Sequence, residues 1–515
     1  MLFLQFALAM LPILWLIAAL SGLKMAGHKA CLIALLLTAL LAVFHWELNA
    51  ACTATAALEG ILNALWPICL VIIAALFTYN LTLKTGAMEL IKKMLAGVSH
   101  DRRVLALIIG WGFGNFMEGM AGFGTAVAIP ASILVGIGLD PISTVVACLV
   151  VNSTPTAFGS VGVPTVTLAS VTGTDILPLS ASVAIIQCLL TFVSPFLMVC
   201  ICGKGIKALK GMFPITLTAA VSFTVPWFFT AHWLGPELPN IIGSICSMGC
   251  LIAAAKIFSR KPEEAYAIQL SKTTAADRGI SLGEGMKAWS SFLLIFILLT
   301  STSTLCPPIH NAIAGIQSTF TVYAEEGGNA LSFSWINTPG IMIFLAAILG
   351  GFIQKASVRD MCQVFAETLK KYWKTILTIC SVMATAKIMG YSGMISDIAQ
   401  FLVAAAGPFY PLIAPLIGGL GAFVTGSGTS TCVLFGGLQS ETAAALGLNP
   451  TWMAAANVMG AGIGKMVCPQ GIAIGAGAVN QIGSESKILS AVFKYFLLYV
   501  ILAGILCYIG SSLGL

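Results

Sequence analysis

GFGNFMEGMAGFGT, residues 112–125, combines five glycines with a single acid, Glu118. It lies between two apolar runs, VLALIIGW at 104–111 and AVAIPASILVGIG at 126–138, each shorter than the roughly 20 residues that span a bilayer. Non-helical backbone and a buried acid persist in a membrane only where protein or a watery cavity surrounds them. We therefore predict a re-entrant hairpin over 104–138, with its glycine-rich tip at mid-membrane depth and Glu118 beside it.

The composition of the chain is that of a polytopic helical membrane protein. Of its 515 residues, 58% are hydrophobic and 9% are charged, and the mean hydropathy is +0.98. The apolar runs are continuous rather than alternating, which favours helices over a transmembrane β-barrel. The net charge of +6 is better explained by basic loops than by nucleic-acid binding.

Several functional classes are disfavoured by what the sequence lacks. The fifteen cysteines lie mostly inside apolar segments and form neither a CxxC pair nor a Cys/His cluster, so we expect no metal site and no cofactor. The chain has no GxxxxGK[ST] motif for ATP and no HExxH motif. These absences indicate a protein that is not an enzyme and is not driven by ATP.

The hairpin and its surroundings occur twice. The matched residues are Gly86 with Gly393, Gly114 with Gly421, Phe116 with Phe423 and Gly119 with Gly426, all offset by 307, and Asn152 with Asn457, Gly159 with Gly464 and Pro164 with Pro469, all offset by 305. We predict two copies of one unit, each with a hairpin and a later helix that glycine and proline break. The second hairpin is expected at 408–446.

Loop charges then orient the helices. The loop after helix 60–82 is strongly basic, so the positive-inside rule places it in the cytoplasm and helix 60–82 runs inward. Its partner, helix 375–390, follows a basic segment and runs outward. We predict about twelve transmembrane helices and two opposed hairpins in an inverted repeat. The first repeat is 1–210 and the second is 288–515. Between them, 211–287 contains two helices and a cytoplasmic linker, whose charged part is 256–287. Both termini are predicted to lie outside, and inverted repeats with discontinuous helices are typical of secondary transporters.

The two tips are the predicted substrate site. Half-helices that begin at a tip present free amides and a positive dipole end, which suit the oxygens of an anion. The candidate substrate-binding residues are Gly122, Gly124, Thr125, Asn152, Ser427, Thr429, Ser430, Thr431, Asn457 and Lys465. Close helix packing is the alternative explanation for the small residues among them. Asn152 and Asn457 equally suit a helix cap or a bridge to a hairpin.

Three charged side chains inside apolar segments are functional candidates. Desolvation favours the neutral form of a carboxyl group, so Glu118 is the candidate for proton coupling; a structural acid bonded to loop amides is the alternative. Lys465 could pair with a substrate carboxylate or an internal acid, or else bond a loop carbonyl or extend to the surface. Lys387 is expected to extend to the outer surface.

Two blocks of sequence resemble the bacterial lactate permease family. They contain EGMAGFGT (118–125) with NSTPTAFGSVGVP (152–164), and GSGTSTCVLFGGLQ (426–439) with AAANVMGAGIGKMVCPQGIAI (454–474). The resemblance implies import of L-lactate, and often glycolate or D-lactate, with protons across the bacterial inner membrane. Glu118 and Lys465 match the family pattern. The second tip departs from the family's GSDTSSN, because Gly428 replaces the acid and Thr431–Cys432 replace Ser–Asn.

We therefore expect a symporter that moves small 2-hydroxymonocarboxylates with protons through the lipid bilayer. The altered second tip keeps an alternative open, a sodium- or proton-coupled transporter of another small organic anion. A channel-like facilitator is the third hypothesis. Such folds often form dimers, so a homodimer is a candidate assembly, although no motif in the sequence indicates it.

Overall fold

The computed structural model describes residues 2–19, 23, 25–122, 124–258, 266–267, 281–302, 306–325, 328, 330–481 and 484–514. Most of the predicted linker 256–287 lies outside these residues. The helices are α1 Leu2–Ile17, α2 Gly27–Phe44, α3 Ala50–Asn63, α4 Leu70–Lys84, α5 Ala87–Ala96, α6 Arg102–Leu105, α7 Gly114–Met120, α8 Thr125–Gly136, α9 Pro141–Asn152, α10 Gly159–Thr172, α11 Ile176–Cys202, α12 Phe213–Trp233, α13 Pro239–Ile257, α14 Leu282–Thr302, α15 Pro307–Ala314, α16 Pro339–Ile353, α17 Val358–Ser392, α18 Met394–Ala406, α19 Tyr410–Thr425, α20 Gly428–Ala445, α21 Pro450–Lys465, α22 Pro469–Ala478 and α23 Glu485–Ser512. Two strands, β1 Gln317–Thr321 and β2 Ala330–Ser334, form one antiparallel hairpin.

The first glycine-rich stretch forms the predicted helix–break–helix hairpin. The helix of α6 continues through a π-helical segment, Ala106–Phe113, into α7, and α8 then folds back against it. A Cβ added to Gly114 would lie 3.4 Å from the Ala126 carbonyl oxygen, so the two arms pack with almost no space between them. In the break, Gly122 and Gly124 adopt φ angles of +59° and +83°, which glycine reaches without steric cost.

The second hairpin has the same design. Helices α19 and α20 fold back on each other, and a Cβ on Gly421 would lie 2.6 Å from the Thr431 methyl group. Gly426 ends α19 with a φ of +68°, and the Ser427 side chain caps α20 by accepting from the Ser430 amide. The structure thus contains two hairpins, at nearly the predicted boundaries.

Each hairpin is followed by a broken helix. Helices α9 and α10 meet at a bend of 61°, and Ser160, Val161 and Gly162 all have positive φ angles there. The second break follows Lys465, where α21 ends and α22 begins at Pro469. The sequence placed this break at Gly464, but α21 continues one residue further.

The chain is an all-α polytopic membrane protein apart from the small β-hairpin, as predicted. Among the described residues, nine helices are long and apolar enough to cross a membrane, or ten if the bent pair α9–α10 is one span. One of the nine, Met394–Phe423, contains the first arm of the second hairpin, which the prediction did not count as a transmembrane helix. The predicted twelve instead included α1, α16 and the broken pair α21–α22. From α3 to α11 and from α17 to α23, the structure repeats one order: a long helix, a short helix, a hairpin, a broken helix and a long helix.

Some elements were not predicted. The basic segment 355–374 and the helix at 375–390 form one 35-residue helix, α17, which begins with a capping box at Ser357 and Asp360. The short helices α5 and α18 precede the hairpins and have strongly one-sided apolar faces. The β-hairpin lies within 304–336, a segment whose sequence contains no lysine or arginine.

Candidate functional site

The two hairpin tips and the two broken helices enclose a cavity of about 360 Å³, which we call the main cavity. The residues that sequence analysis predicted for the site and that line this cavity are Glu118, Gly124, Asn152, Ser427, Thr429, Ser430 and Lys465. The fold thus brings together residues from both halves of the chain. This is the arrangement expected of a binding site between discontinuous helices.

A buried ion pair lies in the wall of the main cavity. The Lys465 Nζ atom donates to Glu118 Oε1 at 2.8 Å, and the Asn152 Nδ2 atom donates to Glu118 Oε2 at 3.0 Å. The Glu118 side chain is 2% exposed and that of Lys465 is 17% exposed. We call Glu118 and Lys465 the inner pair. Two charges removed from water to this degree stabilise the protein only when each is paired and hydrogen-bonded, and both conditions are met.

Local structure explains how these side chains come together. Glu118 lies on α7 just before the first tip, and Asn152 and Lys465 are near or at the ends of α9 and α21, where the helices break. A Cβ on Gly159 would lie only 2.7 Å from Glu118 Oε1, so glycine at 159 leaves the room that the carboxylate occupies. The breaks therefore put one acid, one amide and one lysine at the same point.

The second tip also supplies polar groups to the lining of the main cavity. Ser427, Thr429 and Ser430 line the cavity, and the Ser427 Oγ atom accepts from the Ser430 amide at 3.2 Å. The first amides of α20, at Gly428 and Thr429, have no acceptor within their own helix. Their positive dipole end faces the cavity that holds Lys465, which makes this region suited to a carboxylate.

Four predicted site residues do not line the main cavity. The Thr125 hydroxyl donates to the Gly122 carbonyl at 2.7 Å, and the Thr431 hydroxyl donates to the Ser427 carbonyl at 2.8 Å, so both stabilise their own tips. Gly122 packs on the Ser160 side chain. Asn457 is fully buried, and its amide atoms have no hydrogen-bond partner in the described structure. Asn152 bridges to the first hairpin through its hydrogen bond to Glu118, which is one of the two structural roles predicted for it.

Other cavity residues were not predicted. His28 on α2 and Lys374 and Thr378 on α17 line the main cavity, as does Gln470 on α22. The sequence contains part of the information needed to find Lys374, because this residue ends the basic segment 355–374. What sequence could not show is that α2 and α17 pack together and bring this segment to the cavity.

Lys387 does not extend to the surface, and that expectation was wrong. Its Nζ atom lies 2.7 Å from Glu59 Oε1, and the Tyr391 hydroxyl donates to Glu59 Oε2 at 2.8 Å. Glu59 belongs to α3, and its side chain is fully buried, while that of Lys387 is 11% exposed. We call Glu59 and Lys387 the outer pair. A buried lysine beside a buried acid gains more from pairing than from reaching solvent.

Comparison with known proteins identifies the family. The profile of the L-lactate permease family matches residues 5–513, nearly the whole chain. The chain belongs to the L-lactate permease family. Relatives include an L-lactate permease of Streptococcus iniae (42% identical, covering 88% of this chain and 93% of the relative), the glycolate permease GlcA of Escherichia coli strain K12 (34%, 97% and 94%) and an L-lactate permease of Bacillus subtilis strain 168 (33%, 97% and 95%).

Membership of the L-lactate permease family confirms the predicted class, a multi-pass membrane transporter and not an enzyme. Within this family member, Gly428 is the departure from the expected pattern, and it lines the main cavity. A Cβ at position 428 would lie 3.1 Å from the Thr156 methyl group, so the residue type at 428 alters the cavity wall directly.

Proposed function

We propose that the protein imports L-lactate and related small 2-hydroxymonocarboxylates, such as glycolate and D-lactate, by proton symport. The observation that supports this most is the inner pair in the wall of the main cavity, facing the second tip. Relatives named as lactate and glycolate permeases support the substrate class. A lysine supplies the cation that a carboxylate needs, and an acid supplies a site for the proton.

The inner pair gives a physical reason for coupling. When Glu118 is ionised, it already neutralises Lys465 at 2.8 Å, and an arriving carboxylate would meet its repulsion. When Glu118 takes up a proton, Lys465 becomes free to bind the substrate carboxylate, with the amides and hydroxyls of the second tip as further donors. Proton and anion then enter together and leave the net charge of the site unchanged. Movement of the hairpins and broken helices against the other helices would expose the site to each side in turn.

We also propose an orientation in the bacterial cell (inner) membrane. Lys374 and His28 at the mouth of the main cavity belong to the basic side of the chain, which the positive-inside rule assigns to the cytoplasm. In this arrangement the termini are outside and the main cavity opens inward. The division into an inverted repeat, 1–210 and 288–515 around 211–287, and assembly as a homodimer belong to the same proposal.

The test is uptake of labelled L-lactate into proteoliposomes under an imposed inward proton gradient, with and without sodium. Uphill uptake that protons alone drive supports the proposal. A folded, inserted protein that takes up no L-lactate, glycolate or D-lactate contradicts it. Equilibration without accumulation would instead favour a channel-like facilitator.

A second candidate function follows from Gly428 in the cavity wall. Without the acid that the family pattern has at this position, the protein could carry another small organic anion, coupled to sodium or to protons. Sodium-dependent uptake, or a stronger response to another carboxylate in competition with labelled L-lactate, would favour this alternative.

A further inference from the structure

Lys387 of the outer pair lines a second cavity of about 210 Å³. Besides Lys387, polar groups of Asn63, Ser170 and Ser332 line it, and the Asn63 Nδ2 atom donates to the Ser170 hydroxyl at 2.6 Å. Ser170 and Ser332 are exposed, so the second cavity is open to solvent. It therefore offers one cation, one amide and two hydroxyls to a molecule that arrives from that side.

The second cavity lies along the same helices as the main cavity. Helix α17 contributes Ile379 to the main cavity and Lys387 to the second one. Eight residues along a helix are roughly 12 Å. Helix α10 contributes Val163 and Pro164 to the main cavity and Ser170, further along, to the second.

The kinked helix that contains α3 and α4 shows the same order. Ile72 lines the main cavity, and Ile68, about one turn away, lines the second. In the proposed orientation this direction is outward, because α17 leaves its basic end at Lys374 and ends near the β-hairpin. In this orientation the second cavity thus lies on the outer side of the main cavity, along the same helices.

The outer pair repeats the chemistry of the inner pair. In each, a lysine from the second half of the chain contacts one carboxylate oxygen of an acid from the first half, at 2.7 Å for Lys387 and 2.8 Å for Lys465. In each, a neutral donor contacts the other oxygen, the Tyr391 hydroxyl on Glu59 and the Asn152 amide on Glu118. An ammonium held in this way can exchange a resident carboxylate for an arriving one when the resident acid is neutralised.

We propose that Lys387 is the carboxylate-binding group of a second, outer substrate site, a proposal that rests on the proposed function. Glu59 is its resident counter-ion, which an incoming small monocarboxylate replaces when Glu59 takes up a proton from the outer side. The anion is therefore collected in the second cavity at Lys387, and the proton on the buried Glu59 that contacts Lys387, before they reach the inner pair. The site needs no group beyond Lys387, Glu59 and the polar lining already described.

Other titratable groups surround the outer pair. Tyr391 of α17 stacks on Tyr323, with ring centroids 3.9 Å apart, and Glu325 and Cys52 of α3 interact electrostatically with Tyr323. Glu441 of α20 lines a further pocket together with Lys387. Among these groups Lys387 carries the positive charge, so the binding of an anion in the second cavity depends on it.

The experiment measures labelled L-lactate uptake from outside and efflux from inside, in right-side-out membrane vesicles. Lys387→Gln should raise the external KM tenfold or more and leave the internal KM unchanged. Lys387→Arg, which keeps the charge, should stay within about threefold of the wild type. Lys371→Gln, an exposed lysine on the same helix, is the matched control and should change neither constant.

Glu59→Gln distinguishes a binding site from a structural ion pair. It leaves Lys387 without its counter-ion, so the external KM should fall at pH 8 and should vary less with pH than in the wild type, the remaining variation coming from Glu118. If the pair is only structural, either single variant should yield less folded protein, and the double variant Glu59→Gln/Lys387→Gln should restore the yield. The KM values should then keep the pH dependence of the wild type. Thermal unfolding of each purified variant reports folding.

Two outcomes would overturn the outer site: an unchanged external KM in Lys387→Gln, or a wild-type pH dependence of KM in Glu59→Gln. Where Lys387→Gln does not fold, Lys387→Arg and Glu59→Gln still give the deciding values. Failure of the proposed function looks different, because the wild type itself would then take up no L-lactate under a proton gradient.

Discussion

Replacing Glu118 by glutamine should separate substrate binding from proton coupling. The glutamine keeps the size of the side chain and a partner for Asn152 but cannot carry a proton, and it leaves Lys465 without the carboxylate that contacts it at 2.8 Å. Substrate exchange should persist in this variant, whereas accumulation driven by a pH gradient should be lost. The inner pair is the reason for both expectations.

The size of each effect follows from the structure. With one proton per substrate, a gradient of one pH unit supplies about 1.4 kcal/mol, which supports roughly tenfold accumulation in the wild type and none in Glu118→Gln. A hydrogen bond to a charged group contributes about 1.5–3 kcal/mol. A substrate that no longer competes with Glu118 for Lys465 should therefore bind the inner site at least about tenfold more tightly at neutral pH, and its affinity should vary less with pH than in the wild type.

Two assays on proteoliposomes check this prediction. Counterflow of labelled L-lactate measures exchange, and uptake under an inward pH gradient measures accumulation. Glu367→Gln, an exposed acid on α17, is the matched control and should accumulate substrate as the wild type does. Tenfold accumulation by Glu118→Gln would refute the coupling role, and loss of both exchange and accumulation in a folded variant would assign Glu118 to structure or binding instead.

Three further predictions concern the surroundings of the site. Gly159→Ala places a Cβ 2.7 Å from Glu118 Oε1 and should abolish lactate uptake by folded protein, whereas Gly136→Ala, with open space around it, should not. Asn152→Ala leaves Glu118 Oε2 without its donor and should lower the free energy of unfolding by about 1–3 kcal/mol, measured by denaturation in detergent; unchanged stability would contradict the bond. Burial raises the pKa of Glu237, in the turn between α12 and α13, from 4.5 to about 7. The folded protein therefore binds this proton more tightly than the unfolded chain does, and the free energy of unfolding should fall as the pH rises through that range. The melting temperature should thus be lower at pH 8 than at pH 4.5, and this difference should be smaller in Glu237→Gln than in the wild type.

The sequence predicts the hairpins and the broken helices well, because their causes are local. Glycine and proline at fixed offsets interrupt a helix wherever it packs, and an acid in an apolar segment must find a partner. The same reasoning identifies Glu118 and Lys465 separately. Their contact is not predictable from it, because they are 347 residues apart and meet only through the packing of α7 with the end of α21.

The wrong expectation for Lys387 has the same origin. A lysine near a helix end suits the surface when only its own helix is considered, and Glu59 looks like a loop acid when only the charge pattern is considered. The structure places Glu59 on α3 facing α17, a packing that joins positions more than 300 residues apart. The β-hairpin was also missed, since its polar residues resemble a loop in sequence. The continuity of α17 was missed because the basic segment 355–374 differs so strongly in charge from the apolar helix at 375–390.

The division of charge between the halves has a consequence for the history of the repeat. Both acids, Glu118 and Glu59, come from the first half, and both lysines, Lys465 and Lys387, come from the second. An assembly of two first halves would bury four acids, two from each copy, without their cations, and two second halves would bury four lysines without their anions. Although the two halves share one order of helices, neither half can replace the other in the fold. Any ancestor with two identical halves must have neutralised these positions by a different set of residues.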